Sequence, residues 1–351
     1  MMLLCDPSMF STIAYSVRPV AVRPRFTLTL LNRVRRFGRH RSAHTRIINQ
    51  TDPARHGANM TADPMELTDC IATDTVLGNG SAHERAVLVV AHPGHELRLF
   101  GWLNQAKPDV LVLTDGSGRN GRSRIESTRR LLEATGARPG PMFGAYTDLQ
   151  IYRALLDGNA SIFTAIALRL ADLFQRGRYR MVVADPFEGY NPTHDLCRVL
   201  VNIAIQCVTR RCDQTLRNCD YPLTELSDFR GCRPLTKIRL APEVLQRKRA
   251  AAAEYVELSG EVATLVRREG ERAYDEERLR DVPSDSLPAQ TLITPPFYET
   301  YGERQCAMGL YPAVIRYEDH FAPIVRAVAA LAGAPRLAHV QRTARSSPGA
   351  F

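Results

Sequence analysis

The chain has 351 residues, of which 44% are hydrophobic, and 46 Lys and Arg against 37 Asp and Glu give a formal net charge of +9. No apolar run reaches the roughly 18 residues that a membrane-spanning helix needs. The charge resembles that of a nucleic-acid-binding protein, but residues 1–59 alone hold ten Arg and two acidic residues. That local balance of +8 leaves only +1 for the remainder of the chain. We therefore predict a nearly neutral folded body, with no nucleic-acid partner and no membrane span.

The basic leader, the folded body and the tail differ in composition. We predict that residues 1–79 are disordered, either as an Arg-rich organelle transit peptide or as an extension upstream of a true start at Met60 or Met65. One α/β domain is expected over 80–335, with an insertion near 207–240 and a frayed tail over 336–351. The eight Cys are sparse and form no C-x-x-C pair, which favours reduced thiols in a cytoplasmic protein.

Short apolar runs rich in β-branched residues alternate with amphipathic segments through the body. The apolar runs predict buried strands at 86–91, 109–114 and 179–184. Helical spacing predicts helices at 96–105, 124–135, 161–175 and 194–206, a long helix or pair of helices over 242–270, and a final helix from Asp319. Residues 275–296 are polar and contain Pro, so we expect a loop there. Alternating strands and helices predict a Rossmann-like, mostly parallel sheet with helices on both faces.

Two imidazoles follow the first of these strands. The turn formed by Pro93 and Gly94 places His92 and His95 at the carboxyl end of the strand, where open α/β sheets bind ligands. His194 lies in the loop after the strand 179–184, at the start of a helix, and can reach the same edge. Three protein ligands and one open position are typical of a catalytic zinc site, so these three residues are the candidate ligands of one Zn²⁺. The alternative for His194 is a polar residue at a helix start that binds no metal.

A glycine-rich loop provides a rival prediction. Gly116, Gly118 and Gly121 fit G-x-G-x-x-G between a strand and a helix, a spacing typical of dinucleotide sites in oxidoreductases. The loop follows the second strand rather than the first, however, and lacks a clear acidic residue at the expected distance. Arg119 and Arg122 are interleaved with the glycines, so an anionic sugar or phosphate is the preferred ligand.

The motifs Ala91-His-Pro-Gly-His-Glu96 and Asn191-Pro-Thr-His-Asp195 resemble the A-H-P-D-D-E and H-P-D-H segments of the PIG-L/LmbE-like de-N-acetylases. The similarity covers roughly residues 86–260 and includes Leu113-Thr-Asp-Gly, the Arg124–Glu126 helix start and Gln246-Arg-Lys-Arg-Ala-Ala. The resemblance implies a Rossmann-like fold and a zinc-dependent hydrolase that removes an acyl group from an amino-sugar or a related small conjugate.

The chain departs from this family pattern at the residues that matter for catalysis. Gly94 replaces the Asp that is the family's presumed general base, and His95 replaces its Asp metal ligand. Glu96, Asp115 and Glu188 remain as alternative bases, Tyr190 as a residue that stabilises the oxyanion, and Asn191 as a substrate ligand beside Arg119 and Arg122. The alternatives to a hydrolase are a non-catalytic relative that binds an anionic sugar and the dinucleotide-dependent oxidoreductase.

Overall fold

A computed structural model of the chain describes residues 85–118, 121–212, 214–224, 235–270, 274–285 and 295–333. The predicted leader, the tail over 336–351 and Arg119 lie outside the described residues. The described part of the chain belongs to one compact unit. None of its helices is long and apolar enough to cross a membrane.

Seven strands among the described residues form one sheet in the order β3-β2-β1-β4-β5-β7-β6. The strands are β1 (Ala86–Val90), β2 (Asp109–Thr114), β3 (Arg138–Tyr146), β4 (Met181–Ala184), β5 (Arg217–Asp220), β6 (Leu235–Arg239) and β7 (Glu276–Asp281). The first five are parallel, and β7 pairs antiparallel with both β5 and β6. The predicted α/β class with a mostly parallel sheet is therefore confirmed.

Helices cover both faces of this sheet. They are α1 (Phe100–Ala106), α2 (Ile125–Thr135), α3 (Asp148–Leu156), α4 (Ala160–Gly177), α5 (Pro192–Cys212), α6 (Pro242–Glu254), α7 (Ser259–Glu269), α8 (Phe297–Ala307) and α9 (Ala322–Gly333). Val87 and Val89 of β1 enter the core that contains α4, α5 and α9, whereas Leu88 and Val90 enter the core beneath α1, α2 and α6. This alternation explains why β1 is apolar at every position.

The structure contains several elements that differ from the predicted ones. The loop predicted over 275–296 is wrong in its first part, because residues 276–281 form β7. The Pro- and Gly-rich β3 and the helices α3 and α8 were not predicted. Residues 207–240 include the end of α5 and the strands β5 and β6, so this segment contributes to the sheet, although its being an insertion stays a prediction.

The strand order places two carboxyl ends side by side where the chain direction across the sheet reverses. β1 lies between β2 and β4, and residues that leave β1 turn towards α1 while residues that leave β4 turn towards α5. A crevice forms at such a switch point in doubly wound sheets and is their usual ligand site. His92 and Asp185 follow these two strands directly.

Candidate metal centre

The turn after β1 brings two imidazoles back over the end of the sheet. Gly94 has φ +108°, which is outside the range that a side chain readily permits, and a 3-10 helix begins immediately after it at His95. His92 and His95 are both fully buried. The Pro-Gly turn therefore does what the sequence predicts and places both rings at the carboxyl end of β1.

The third imidazole comes from the first turn of α5. Asn191 precedes this helix, and its Oδ1 accepts a hydrogen bond of 2.8 Å from the backbone N–H of Thr193. An Asn that accepts from the second helical residue is an N-cap, which fixes where the helix begins. His194 then lies one residue further on, buried above the ends of β1 and β4. Asn191, which the sequence predicts as a substrate ligand, thus caps a helix through its side-chain oxygen.

The three rings come together. Their centroids are 5.5 Å apart for His92 and His95, 5.3 Å for His92 and His194, and 4.5 Å for His95 and His194. Imidazoles that share one tetrahedral ion have centroids about 5 Å apart. Within the described residues, however, no three His, Cys, Asp or Glu side chains are placed so that they could hold a metal ion as they stand. Metal binding would require these side chains to shift.

His92 has the hydrogen-bonding pattern of a metal ligand. Its Nδ1 lies 2.8 Å from Oγ1 of Thr114 and 3.0 Å from Oδ1 of Asp148. Its Nε2 is buried and has no hydrogen-bond partner among the described residues. A histidine that donates from one nitrogen to a carboxylate and leaves the other unpaired is the usual arrangement around a metal, so this residue fits the expected ion.

His95 has a comparable partner on the next strand of the sheet. Its Nδ1 lies 2.8 Å from Oδ2 of Asp185, which also accepts 2.7 Å from the N–H of Ala91. The other oxygen of Asp185 accepts 2.6 Å from the hydroxyl of Tyr221. Burial disfavours ionisation of Asp185, but His95, Tyr221 and Ala91 together hold its pKa below the usual range.

Burial favours the neutral form of His95 and His194. Loss of solvent lowers the pKa of His95, although Asp185 opposes this effect, and His92 and Arg124 lower it further. Burial also holds the pKa of His194 well below its usual value, and the neighbouring His95, His92 and Arg124 add to the shift. Neutral imidazole is the form that binds a metal.

Glu96 is buried beside the turn rather than exposed to the solvent. Its Oε2 accepts 2.7 Å from the N–H of Gly94, and its Oε1 accepts 2.7 Å from the hydroxyl of Thr128 on α2. That hydroxyl lies 3.0 Å from the hydroxyl of Tyr255. Burial raises the pKa of Glu96 to about 7, despite the opposing effect of these hydrogen bonds. A carboxyl group with such a pKa can exchange protons near neutral pH.

The other two predicted bases are occupied by backbone groups. Glu188 is fully buried, and its Oε1 accepts from the N–H groups of Leu223 and Thr224 at 3.1 and 3.0 Å. Asp115 accepts 2.9 Å from the N–H of Ser117, two residues along the chain. Both side chains therefore shape loops at this edge of the sheet.

Tyr190 lies beside the cluster and Arg122 does not reach it in any described contact. The ring of Tyr190 is 6.5 Å from that of His194 and stacks on Phe297 at 4.9 Å with an interplanar angle of 2°. Tyr190 thus lies at the edge of the cluster, and its role in stabilising an oxyanion stays a prediction. Arg122 is exposed.

The glycine loop is tied to the cluster by a carboxylate. Asp148 accepts 2.5 Å from the N–H of Gly118, while its other oxygen contacts His92. The guanidinium of Arg124 is buried below the loop and donates 2.9 Å to the carbonyl of Gly116. The carboxylate of Asp148 already accepts from a loop N–H group that would otherwise bind a pyrophosphate, and its negative charge would repel one. This contact disfavours a dinucleotide as the ligand.

Sequence reasoning missed Asp148 and Asp185 as site residues. Each follows the end of a strand, β3 and β4, just as His92 follows β1. The same rule that singled out the histidines could have found both carboxylates, had β3 been recognised. The sequence marks Arg124 only as the start of a helix, whereas in the structure its charge acts on His95, His194 and Glu96.

No known protein-family model matches the sequence, and no curated protein matches it. Among solved structures, the chain is similar to the zinc-inhibited form of teicoplanin deacetylase Orf2, with a TM-score of 0.40, 13% identity, and 58% of this chain and 100% of that chain covered. It is also similar to a deacetylase–teicoplanin complex (TM-score 0.41, 13% identity, 56% and 97% covered). A third similar structure is the conserved protein TT1542 from Thermus thermophilus, with a TM-score of 0.38, 19% identity, and 59% of this chain and 99% of that chain covered. At these scores and identities, the similarities assign no activity, metal or substrate to this chain.

Proposed function

We propose that this protein is a metal-dependent amide hydrolase of the de-N-acetylase type, acting on an N-acyl amino-sugar or a related small conjugate. The observation that carries the proposal is the meeting of three buried imidazoles at the switch point of the sheet, two of them backed by carboxylates. His92, His95 and His194 would hold one divalent ion, most simply Zn²⁺. When bound, such an ion polarises the amide carbonyl of a substrate.

Proton transfer and stabilisation of the oxyanion would fall to side chains around the histidines. Glu96 is the best candidate for moving protons, because its pKa is raised to about 7 and it contacts the turn between the two histidines. Glu188 is a weaker candidate, since two backbone amides already engage it. Tyr190, which lies beside His194, would stabilise the oxyanion that develops on the substrate carbonyl.

Metal content is the first test of the proposal. The full chain should purify with about one equivalent of divalent metal, and the variants His92→Ala, His95→Ala and His194→Ala should each lose most of it. His320→Ala is the matched control, because His320 lies near α9 and its Nδ1 accepts from the N–H of Arg316. Equal metal content in all four variants and in the wild type, or none in the wild type, would exclude the metal centre.

Release of a free amine from N-acetylglucosamine conjugates is the second test. Turnover should accompany metal loading and disappear in the three histidine variants, while His320→Ala retains it. One observation favours the non-catalytic alternative: Leu258 packs against Gly94, where the family motif has its base. A protein that binds metal and sugar conjugates but releases no amine from any of them would support that alternative.

A further inference from the structure

Asp185 contacts one of the three histidines directly. It follows β4, is fully buried, and lies within hydrogen-bond distance of three groups on three different parts of the chain. The N–H of Ala91 is at the end of β1, Nδ1 of His95 is in the 3-10 helix, and the hydroxyl of Tyr221 comes just after β5. Each contact is between 2.6 and 2.8 Å long.

The contact with Asp185 determines which nitrogen of His95 carries the proton. An ionised carboxylate can only accept hydrogen bonds, so the 2.8 Å contact places a proton on Nδ1 of His95. In a neutral imidazole the lone pair is then on Nε2. The carboxylate thus fixes both the tautomer and the direction of the ring.

Tyr221 in turn fixes the carboxylate. Its hydroxyl, which is buried with the rest of the side chain, donates 2.6 Å to Oδ1 of Asp185. Leu223 and Thr224, which follow Tyr221, are fixed next to the end of β4, because Glu188 accepts hydrogen bonds from their N–H groups. The segment that follows β5 therefore supports the histidine cluster from the side opposite to β2.

We propose that Tyr221 and Asp185 form a positioning pair that keeps His95 in its Nδ1–H form, so that Nε2 is the nitrogen offered to a metal. The inference rests on the proposed metal centre. The carboxylate of Asp185 lies on the Nδ1 side of the imidazole of His95.

The tautomer can be measured on the full chain without any metal. Long-range ¹H–¹⁵N correlation spectra of the metal-free protein distinguish Nδ1–H from Nε2–H imidazoles. We expect His95 to carry its proton on Nδ1 in the wild type. In Asp185→Asn, whose amide can also donate, the Nε2–H form should become populated. A wild-type His95 protonated on Nε2 would overturn the inference.

Zinc affinity provides the second measurement. Tyr221→Phe should weaken zinc binding by about 10- to 100-fold, as loss of an outer hydrogen-bond partner does at other metal sites. Tyr179→Phe is the matched control, because its hydroxyl donates the same 2.6 Å bond to a carboxylate, Asp109, at the opposite edge of the sheet. Equal zinc affinity of the two folded variants would contradict the inference.

The two proposals can fail separately. If the wild type binds no zinc, the proposed function fails, and the spectra of the metal-free protein still decide the state of His95. If Tyr221→Phe does not fold, Asp185→Asn and the wild-type spectra retain the test. If zinc binds but His95 carries its proton on Nε2, the function stands and the positioning pair does not.

Discussion

A Cβ atom at Gly94 would lie 2.6 Å from Cδ1 of Leu258, a fully buried residue in the 3-10 turn between α6 and α7. Real side chains do not approach so closely, and the φ of +108° adds backbone strain to any substitution. Any side chain at position 94 therefore requires the end of the Leu258 side chain to shift within the core.

The first prediction follows from this contact. Gly94→Asp should destabilise the fold by about 2–5 kcal/mol, the sum of a left-handed backbone at a non-glycine residue and an overpacked core. Urea denaturation of the full chain measures this. Gly309→Asp is the control, since Gly309 has φ +70° but nothing within 4 Å of the added Cβ, so it should suffer only the backbone cost. Equal losses in the two variants would show that Leu258 moves away freely.

The second prediction concerns Asn191, which the sequence marks as a substrate ligand and the structure places as the N-cap of α5. Asn191→Ala should lower the free energy of unfolding by about 1 kcal/mol, whereas Asn191→Asp, which retains the capping oxygen, should remain near the wild type. The comparison is read from denaturation curves. A variant with unchanged stability but weakened sugar binding would restore the predicted substrate role.

The strands with mostly apolar sequences, β1, β2 and β4, were predictable, and β3, β5, β6 and β7 were not. β1, β2 and β4 are central and buried on both faces, and they are apolar except for Asp109 and Thr114 at the two ends of β2. Their composition therefore predicts their burial. β3 contains Pro139 and Pro141, which a strand tolerates because it lies at the edge of the sheet. Edge position depends on topology, and the sequence alone does not give topology.

The same limit applies to the candidate site. The three histidines stand out in the sequence because each follows an apolar run that predicts a buried strand. Their partners do not: Asp148 and Asp185 are 56 and 90 residues away from the histidines they contact. Only the order of β3, β2, β1 and β4 in the sheet makes these pairs neighbours.

The strand β7 was not predicted because one of its buried positions carries a charged residue, Glu277. Glu277 is buried in the middle of a charged sequence and accepts from the N–H groups of Gly101 and Trp102, at the start of α1, at 2.8 and 2.9 Å. Lys248 of α6 lies 2.7 Å from the same carboxylate and is equally buried. The inward positions of β7 alternate as in any strand, but one of them carries a carboxylate.

The third prediction tests this ion pair. Lys248→Met should cost about 3–5 kcal/mol of stability, because it leaves the charge of Glu277 buried without its cation. The double variant Lys248→Met/Glu277→Gln removes both charges and keeps an oxygen for the α1 amides, so it should recover part of that loss. Chemical denaturation of both proteins decides the matter. A double variant as unstable as the single one would mean that the pair contributes through packing alone.

The last prediction concerns Glu96 and is made for the metal-free protein, in the presence of a chelator. Its pKa is raised from 4.5 to about 7, chiefly by burial, so the folded state holds a proton that the unfolded state releases. The stabilisation from the neutral carboxyl group is fully present below pH 4.5 and is lost as the pH rises towards 7. The shift corresponds to about 3 kcal/mol.

Glu96→Gln mimics the neutral form at every pH, so the wild type should lose stability relative to this variant between pH 4.5 and 7. Glu126→Gln, which changes an exposed carboxylate on α2, should show no such pH-dependent difference from the wild type. With metal present and a suitable conjugate found, Glu96→Gln should retain its metal while kcat falls by about 10²- to 10⁴-fold. Parallel pH–stability curves for wild type and Glu96→Gln would mean that Glu96 is ionised in the fold. An unchanged kcat would move the proton transfer to another residue.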